Sequence, residues 1–151
     1  MTTITNFVTD HHAGASNSLL FPVGASGIQV DLATGSTREL TEVKIGRFFV
    51  FGLLEDKKSW SLIRLSSILA LRLQSDPQNP SSSVSWTRKA AGELIGSLNL
   101  PAPAVVGFRE QPRNKVELLV LGASKALLAT DSDLMPHVPF QAIGYLEISP
   151  I

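Results

Sequence analysis

The chain contains no cysteine, which excludes disulfide bonds, thiolate nucleophiles, zinc fingers and iron–sulfur clusters. Charge is also scarce, since charged residues make up 17% of its 151 residues, against about a quarter in typical soluble domains. Equal numbers of basic and acidic residues give a formal net charge of +0, so no overall field attracts nucleic acid or an anionic membrane. Any such binding must be local, and the low net charge favours association between copies.

Long hydrophobic runs and targeting signals are missing as well. No apolar run approaches the roughly 20 residues that a membrane-spanning helix needs. Residues 1–7 lack the basic start and apolar stretch of a signal peptide, and Thr2 stands where myristoylation needs a glycine. These absences predict a protein that is cytoplasmic or part of a virion, is not secreted and has no transmembrane segment.

The length of the chain fits one domain. Residues 1–27 combine small and polar residues with glycine and proline, which is typical of a flexible or docking N-terminal arm. Leu19, Leu20 and Phe21 are the residues with which such an arm would dock. We expect a single α+β domain over residues 28–151.

Apolar residues make up 44% of the chain, and they are densest in two strand-like runs. Residues 43–54 and 60–73 are joined by a charged tetrapeptide, which predicts a long hairpin. Residues 48–51 put bulky apolar groups on both faces, whereas a hairpin with one wet face alternates apolar with polar. The second face therefore needs a cover, either the rest of the domain or another copy. Phe48 and Val50 are the first candidates for a contact between copies.

The rest of the pattern predicts an α+β fold that is mostly antiparallel β, with two hairpins, N- and C-terminal strands and one amphipathic helix packed on the sheet. Apolar residues recur at helical spacing over residues 83–98, where Gly92 and Gly96 indicate a face of small residues that lets another backbone come close. The second hairpin is expected over residues 104–121 and the last strand over 140–148. Residues 66–74 fit either a strand or a helix.

Candidate chemistry is sparse, because the chain has three histidines and neither a phosphate-binding loop nor a G-x-S-x-G motif. His137 follows Asp131 and Asp133, and carboxylates beside an imidazole can bind a metal or orient a base. The same residue types are common in ordinary turns. We therefore assign no catalytic, cofactor-binding or metal-binding residue, and keep these three as the alternative site of a small hydrolytic or metal-dependent enzyme.

Basic residues are concentrated in the middle of the sequence. Between Lys57 and Lys115 the chain carries nine bases and three acids, which suits an anionic surface or contacts between copies. The alternative is that they are solvated side chains at edges and turns. Aromatic residues near them in sequence are few, so sequence-specific reading of RNA is not indicated. The candidate patch for an anionic partner is Arg88, Lys89, Arg109, Arg113 and Lys115.

Together these features favour a non-enzymatic, self-assembling structural or interaction protein, similar in class to the coat and matrix proteins of viruses. Its main partner would be itself, and its basic patch would face nucleoprotein, RNA or an anionic membrane surface. No small-molecule substrate and no cofactor are predicted. The alternatives are the small enzyme described above and a binding module for RNA or lipid.

Overall fold

The computed structural model describes residues 2–3, 25–75, 84–110, 115–130 and 137–150. Most of the predicted N-terminal arm, including Leu19, Leu20 and Phe21, lies outside these ranges. Among the helices of the described ranges, none is both long enough and apolar enough to cross a bilayer.

The described residues form one open sheet of twelve strands that is mostly antiparallel, with one short helix. This agrees with the predicted dominance of antiparallel β structure. The strands are β1 Thr2–Thr3, β2 Ala25–Leu32, β3 Thr37–Ile45, β4 Phe49–Leu53, β5 Trp60–Arg64, β6 Ile68–Ser75, β7 Val84–Trp86, β8 Ala102–Phe108, β9 Lys115–Ala123, β10 Ala126–Thr130, β11 His137–Pro139 and β12 Ile143–Ile148. Their neighbour order is β1-β6-β2-β3-β4-β5-β12-β8-β9-β10-β11, and β7 pairs in parallel with β3.

The predicted helix over residues 83–98 is wrong in extent. The helix, α1, spans Ala91–Gly96, and the residues before it include strand β7. Val84 is buried in the sheet core, and the amide of Thr87 donates to the carbonyl of Ile45 at 2.9 Å. Long-range pairing with β3 therefore overrides the helical periodicity of this segment, as tertiary context often does.

The plan of two hairpins with terminal strands is also not what the sheet shows. The predicted first hairpin is divided, because residues 43–45 belong to β3 and a 3-10 turn at Leu65–Ser67 separates β5 from β6. Strand β6 then pairs with β2, with Leu71 opposite Val30, and not with β4. Residues 68–75 are thus a strand. The apolar pattern of a sequence predicts where strands lie but not which strands pair. The predicted pairing of β6 within the first hairpin was therefore wrong.

Ten of the twelve strands form two five-stranded units with the same connectivity, and β1 and β7 lie outside both units. The first unit, β2–β6, has the order β6-β2-β3-β4-β5, and the second, β8–β12, has the order β12-β8-β9-β10-β11. Each contains a 3-10 turn before its last strand, at Leu65–Ser67 and at Phe140–Ala142. The order of neighbours and the position of the turn are therefore repeated within one chain.

Register and hydrogen bonding repeat as well. Leu71 lies opposite Val30 in the first unit, as Leu146 lies opposite Val106 in the second. The pairing slips by one residue at Leu69 and at the equivalent Gly144. The residue after β2, Ala33, donates its amide to Ser67 O at 3.0 Å, and the residue after β8, Arg109, donates to Ala142 O at 2.9 Å. The two units are thus equivalent down to individual backbone bonds.

Strands β4 and β5 are buried on both faces, as the two-sided apolar pattern requires. Val50 and Ile63 belong to the core of the first unit, whereas Phe49, Phe51 and Leu62 belong to the core of the second. The second unit also continues the sheet, because β12 pairs with β5. The cover that residues 49–51 need is therefore supplied by the same chain. Phe48 differs, since it is 55% exposed.

Segment β7–α1 connects the units and packs on both. Strand β7 extends the sheet beside β3, while α1 lies against the end of β9. A Cβ atom on Gly92 would lie 1.6 Å from the carbonyl oxygen of Ser124, and one on Gly96 would lie 3.1 Å from that of Ala123. The predicted close approach of another backbone to these glycines is confirmed.

Gly92→Ala should destabilise the fold by about 3 kcal/mol, at the upper end of the usual cost of overpacking, because backbone must move. Urea unfolding measures this change in the free energy of unfolding. The control is Gly122→Ala, where a Cβ would meet nothing within 4 Å and where we expect a change within about 0.5 kcal/mol. Equal midpoints for the two variants would show that α1 does not contact β9 in this way.

Phe51→Ala should cost about 3–5 kcal/mol, as is usual for deletion of a buried phenylalanine. Phe51 lies between the two units and stacks on Trp60, with ring centroids 5.0 Å apart and planes 8° apart. Phe48→Ala is the control three residues away, and its exposure predicts a change within about 0.5 kcal/mol. Thermal unfolding separates them, and a similar loss in both would contradict the two-sided burial of β4.

Candidate anion-binding groove

A groove of about 1380 Å³ lies where the two units meet the connecting segment. Its walls are the β3–β4 turn at residues 46–48, the connecting segment at residues 87–93 and the β9–β10 turn at residues 124–125. The β3–β4 and β9–β10 turns occupy equivalent places in the two units. The groove therefore requires both units and is formed by tertiary structure, not by one motif.

The floor of the groove is apolar. Phe49, Leu62 and Ile143 line it and are otherwise almost completely buried. Trp86 and Phe140 lie in the same lining and are partly exposed. Such a surface offers aromatic and aliphatic contact to whatever enters.

The charged side chains that line the groove are five cations and one carboxylate. The cations come from a turn, a strand end, the connecting segment and a second turn. Glu93 is the single acid. This ratio differs sharply from the neutral composition of the chain, so positive potential is concentrated in the groove. The cations are Arg47, Arg64, Arg88, Lys89 and Lys125.

Arg64 holds the far end of the groove in place. Its Nε donates to the carbonyl of Ile143 at 3.0 Å, and its Nη2 donates to the carbonyl of Phe140. Arg109 donates to the carbonyl of Gln141 at 3.1 Å, so both guanidinium groups bind the same 3-10 turn. Burial, followed by the positive charge of Arg109, lowers the pKa of Arg64. The arginine nevertheless stays charged.

An anion in the groove would offset the unfavourable placement of Arg64 beside Arg109. The ion pairs Arg38–Glu147, at 2.7 Å, and Arg72–Asp31 lie outside the groove, since none of these four side chains lines it. A negative group near Arg64 and Arg109 would therefore offset both the desolvation of Arg64 and the repulsion between the two guanidinium groups. Attraction there is stronger than in open water, because the apolar floor lowers the local dielectric constant.

Local backbone contacts shape the walls. The amide of Gly46 donates to Phe49 O at 2.8 Å, and a Cβ on Gly46 would lie 2.6 Å from the Phe49 ring. The ring can cover this backbone only because residue 46 is glycine. On the opposite wall the amide of Lys89 donates to the Thr87 hydroxyl at 3.1 Å.

The structure divides the predicted basic patch. Arg88 and Lys89 line the groove, and Arg109 lies behind it beside Arg64. Lys115 lies instead in a separate shallow depression with Arg38, Glu117 and Glu147. Arg113 lies outside the described residues.

Sequence reasoning missed Arg47, Arg64 and Lys125 as members of one site. Arg47 and Lys125 fall on either side of the basic stretch, and only the fold brings them to Arg88. The sequence signal that could have found Arg47 is Gly46 before it, because a glycine inside a strand pattern can mark a bend and binding residues are frequent where strands turn.

The structure describes some of the other predicted site residues and not others. Val50 is fully buried in the core of the first unit and offers no surface to a second copy, whereas Phe48 is exposed. Asp131 and Asp133 lie outside the described residues, and of His137 the structure describes only its position in β11. Within the described ranges no group of three or more metal-binding side chains occurs. The enzyme alternative stays a prediction.

No protein-family model matches the chain, and neither the curated proteins nor the solved structures include a significant match.

Proposed function

We propose that this chain is a non-enzymatic interaction protein whose groove holds a polyanionic partner. The observation that carries the proposal is the grouping of five cations with one carboxylate around an apolar floor. Positive residues that are scattered in sequence and collected by the fold into a concavity focus potential on one place. Catalysis is not part of the proposal.

The size and shape of the groove favour a polymer over the other anionic partners considered. At about 1380 Å³ it exceeds the roughly 300–1000 Å³ of typical small-molecule pockets. Five cations also exceed what one carboxylate or phosphate can use. A planar membrane would contact the exposed Arg88 and Lys89 more readily than the partly buried Arg64. A strand that carries regularly spaced charges can follow the groove and reach all of them.

Reversing two groove charges should weaken polyanion binding about tenfold or more at low salt, because like charge then faces the ligand. The variant is Arg88→Glu with Lys89→Glu, and the probe is labelled inorganic polyphosphate, measured by fluorescence anisotropy across a salt series. Wild-type affinity should fall steeply as salt rises, and the variant should show a flatter dependence.

A matched control is Lys58→Glu with Lys115→Glu, which makes the same change in net charge at two exposed lysines outside the groove. At about 0.15 M salt its affinity should stay within about twofold of wild type, since exposed charges more than a Debye length of about 8 Å from the ligand are then largely screened. Equal losses in the two variants would place binding elsewhere. Absence of salt-sensitive binding by the wild type would end the proposal.

Self-association is the second proposed function, favoured by exposed leucines on the sheet. Leu119 and Leu121 share one face of β9 and are 40% and 44% exposed, and Leu119 lies opposite Pro103 of β8. Copies that met through this face would bury the apolar strip of Leu119 and Leu121, beside the charged side chains of Lys115 and Glu117 on the same strand. A coat- or matrix-like assembly of this kind would leave the groove open to its polyanion.

Leu119→Glu with Leu121→Glu should lower the average mass in solution if β9 forms the contact between copies, because charge would be buried there. Size-exclusion chromatography with light scattering measures the mass. Leu69→Glu is the control, a leucine that is 67% exposed on β6 and should leave the mass unchanged. A wild type that is strictly monomeric at high concentration and at every salt tested would rule this function out.

A further inference from the structure

We propose that the polyanion is single-stranded nucleic acid, whose bases stack on the aromatic rings of the groove without selection for sequence. This rests on the proposed polyanion binding and goes beyond it, since charge alone does not distinguish a nucleic acid from any other chain of anions. The distinguishing groups are Phe48, Trp86 and Phe140, which line the groove among its cations. Cations that track a backbone together with rings that stack on bases are the means by which proteins hold single strands.

Phe48 is the best-placed stacking residue. More than half of its surface is exposed although it is a large apolar side chain. Its turn is also tied down, because Gly46 N donates to Phe49 O at 2.8 Å and Leu65 N donates to Phe48 O at 2.9 Å. The exposed ring therefore stands on an ordered backbone, so stacking would cost little conformational entropy.

Arg47 is placed to link the stacked base to its phosphate. Its guanidinium carbon lies 5.5 Å from the centroid of the Phe48 ring, within the range of a cation–π contact. A base stacked on the remaining surface of the ring would bring its phosphate near this positive charge. Lys125, Arg88 and Lys89 lie on the other walls and would meet the following phosphates.

The same contacts disfavour a duplex and a polyanion without bases. In a duplex the bases are stacked on each other, and their faces are unavailable to Phe48 or Trp86. A polyphosphate or an acidic peptide would use the cations but gain nothing from the rings. Preference for a single strand over both competitors is therefore the signature of this ligand. Stacking tolerates every base, which agrees with the absence of a sequence-reading pattern in the chain.

The test compares three polyanions by fluorescence anisotropy, with affinities expressed per phosphate: a ten-nucleotide single strand, the corresponding duplex, which carries twice as many phosphates, and inorganic polyphosphate. The wild-type chain should bind the single strand most tightly. If the five groove cations each neutralise one phosphate, the logarithm of the affinity should fall with the logarithm of salt with a slope of about −3.5.

Phe48→Ala should weaken binding of the single strand about 5- to 100-fold, the range expected for loss of one stacked base. It should leave the salt slope and the affinity for polyphosphate unchanged. Phe48→Leu keeps an apolar side chain without a ring, and it should lose a similar amount if stacking is the interaction. Leu69→Ala removes an exposed apolar side chain outside the groove and should bind as wild type does.

The results distinguish binding of a single strand from binding of polyanions in general. Equal binding of polyphosphate and single strand, tighter binding of the duplex, or full affinity in Phe48→Ala would overturn the single-strand assignment and leave polyanion binding intact. Failure of all three ligands to bind would overturn both. Unfolding midpoints of the Phe48 variants, measured beside the wild type, show whether a loss of affinity reflects lost folding.

Discussion

The architecture depends on the burial of β4 and β5 on both faces. One face of these strands completes the core of the first unit through Val50 and Ile63, and the other completes the core of the second through Phe51 and Leu62. Neither core is closed without them, so the two units share strands and do not simply lie side by side. The groove follows from this, because Phe49 and Leu62 reach its floor from the same two strands.

The two units repeat the same register with different side chains. Leucines at positions 71 and 146 face valines 30 and 106, and the slip at Leu69 recurs at Gly144, although most side chains at equivalent places differ. Both units keep a buried leucine of the last strand opposite a buried valine of the first strand. The segment β7–α1 fits between two such units only because Gly92 lets the helix backbone touch the turn after β9.

The basic side chains in and beside the groove have two different roles. Arg64 and Arg109 bind backbone carbonyls and so hold a turn of the second unit, while Arg88 and Lys89 stand exposed on the connecting segment. The first pair gives the end of the groove its shape and the second meets solvent. Arg38 and Arg72, which lie outside the groove, are instead paired with carboxylates.

The sequence by itself determined the mostly antiparallel β class, the need of residues 49–51 for cover on both faces and the close approach at Gly92. These depend on the size and polarity of neighbouring side chains, which are local properties. Tertiary structure decided which strands pair, that residues 84–86 are strand and not helix, and that Arg47, Arg88 and Lys125 share one groove. These features depend on contacts between residues far apart in the chain. The spacing of apolar residues along the sequence does not show which distant segment a strand or a side chain will contact.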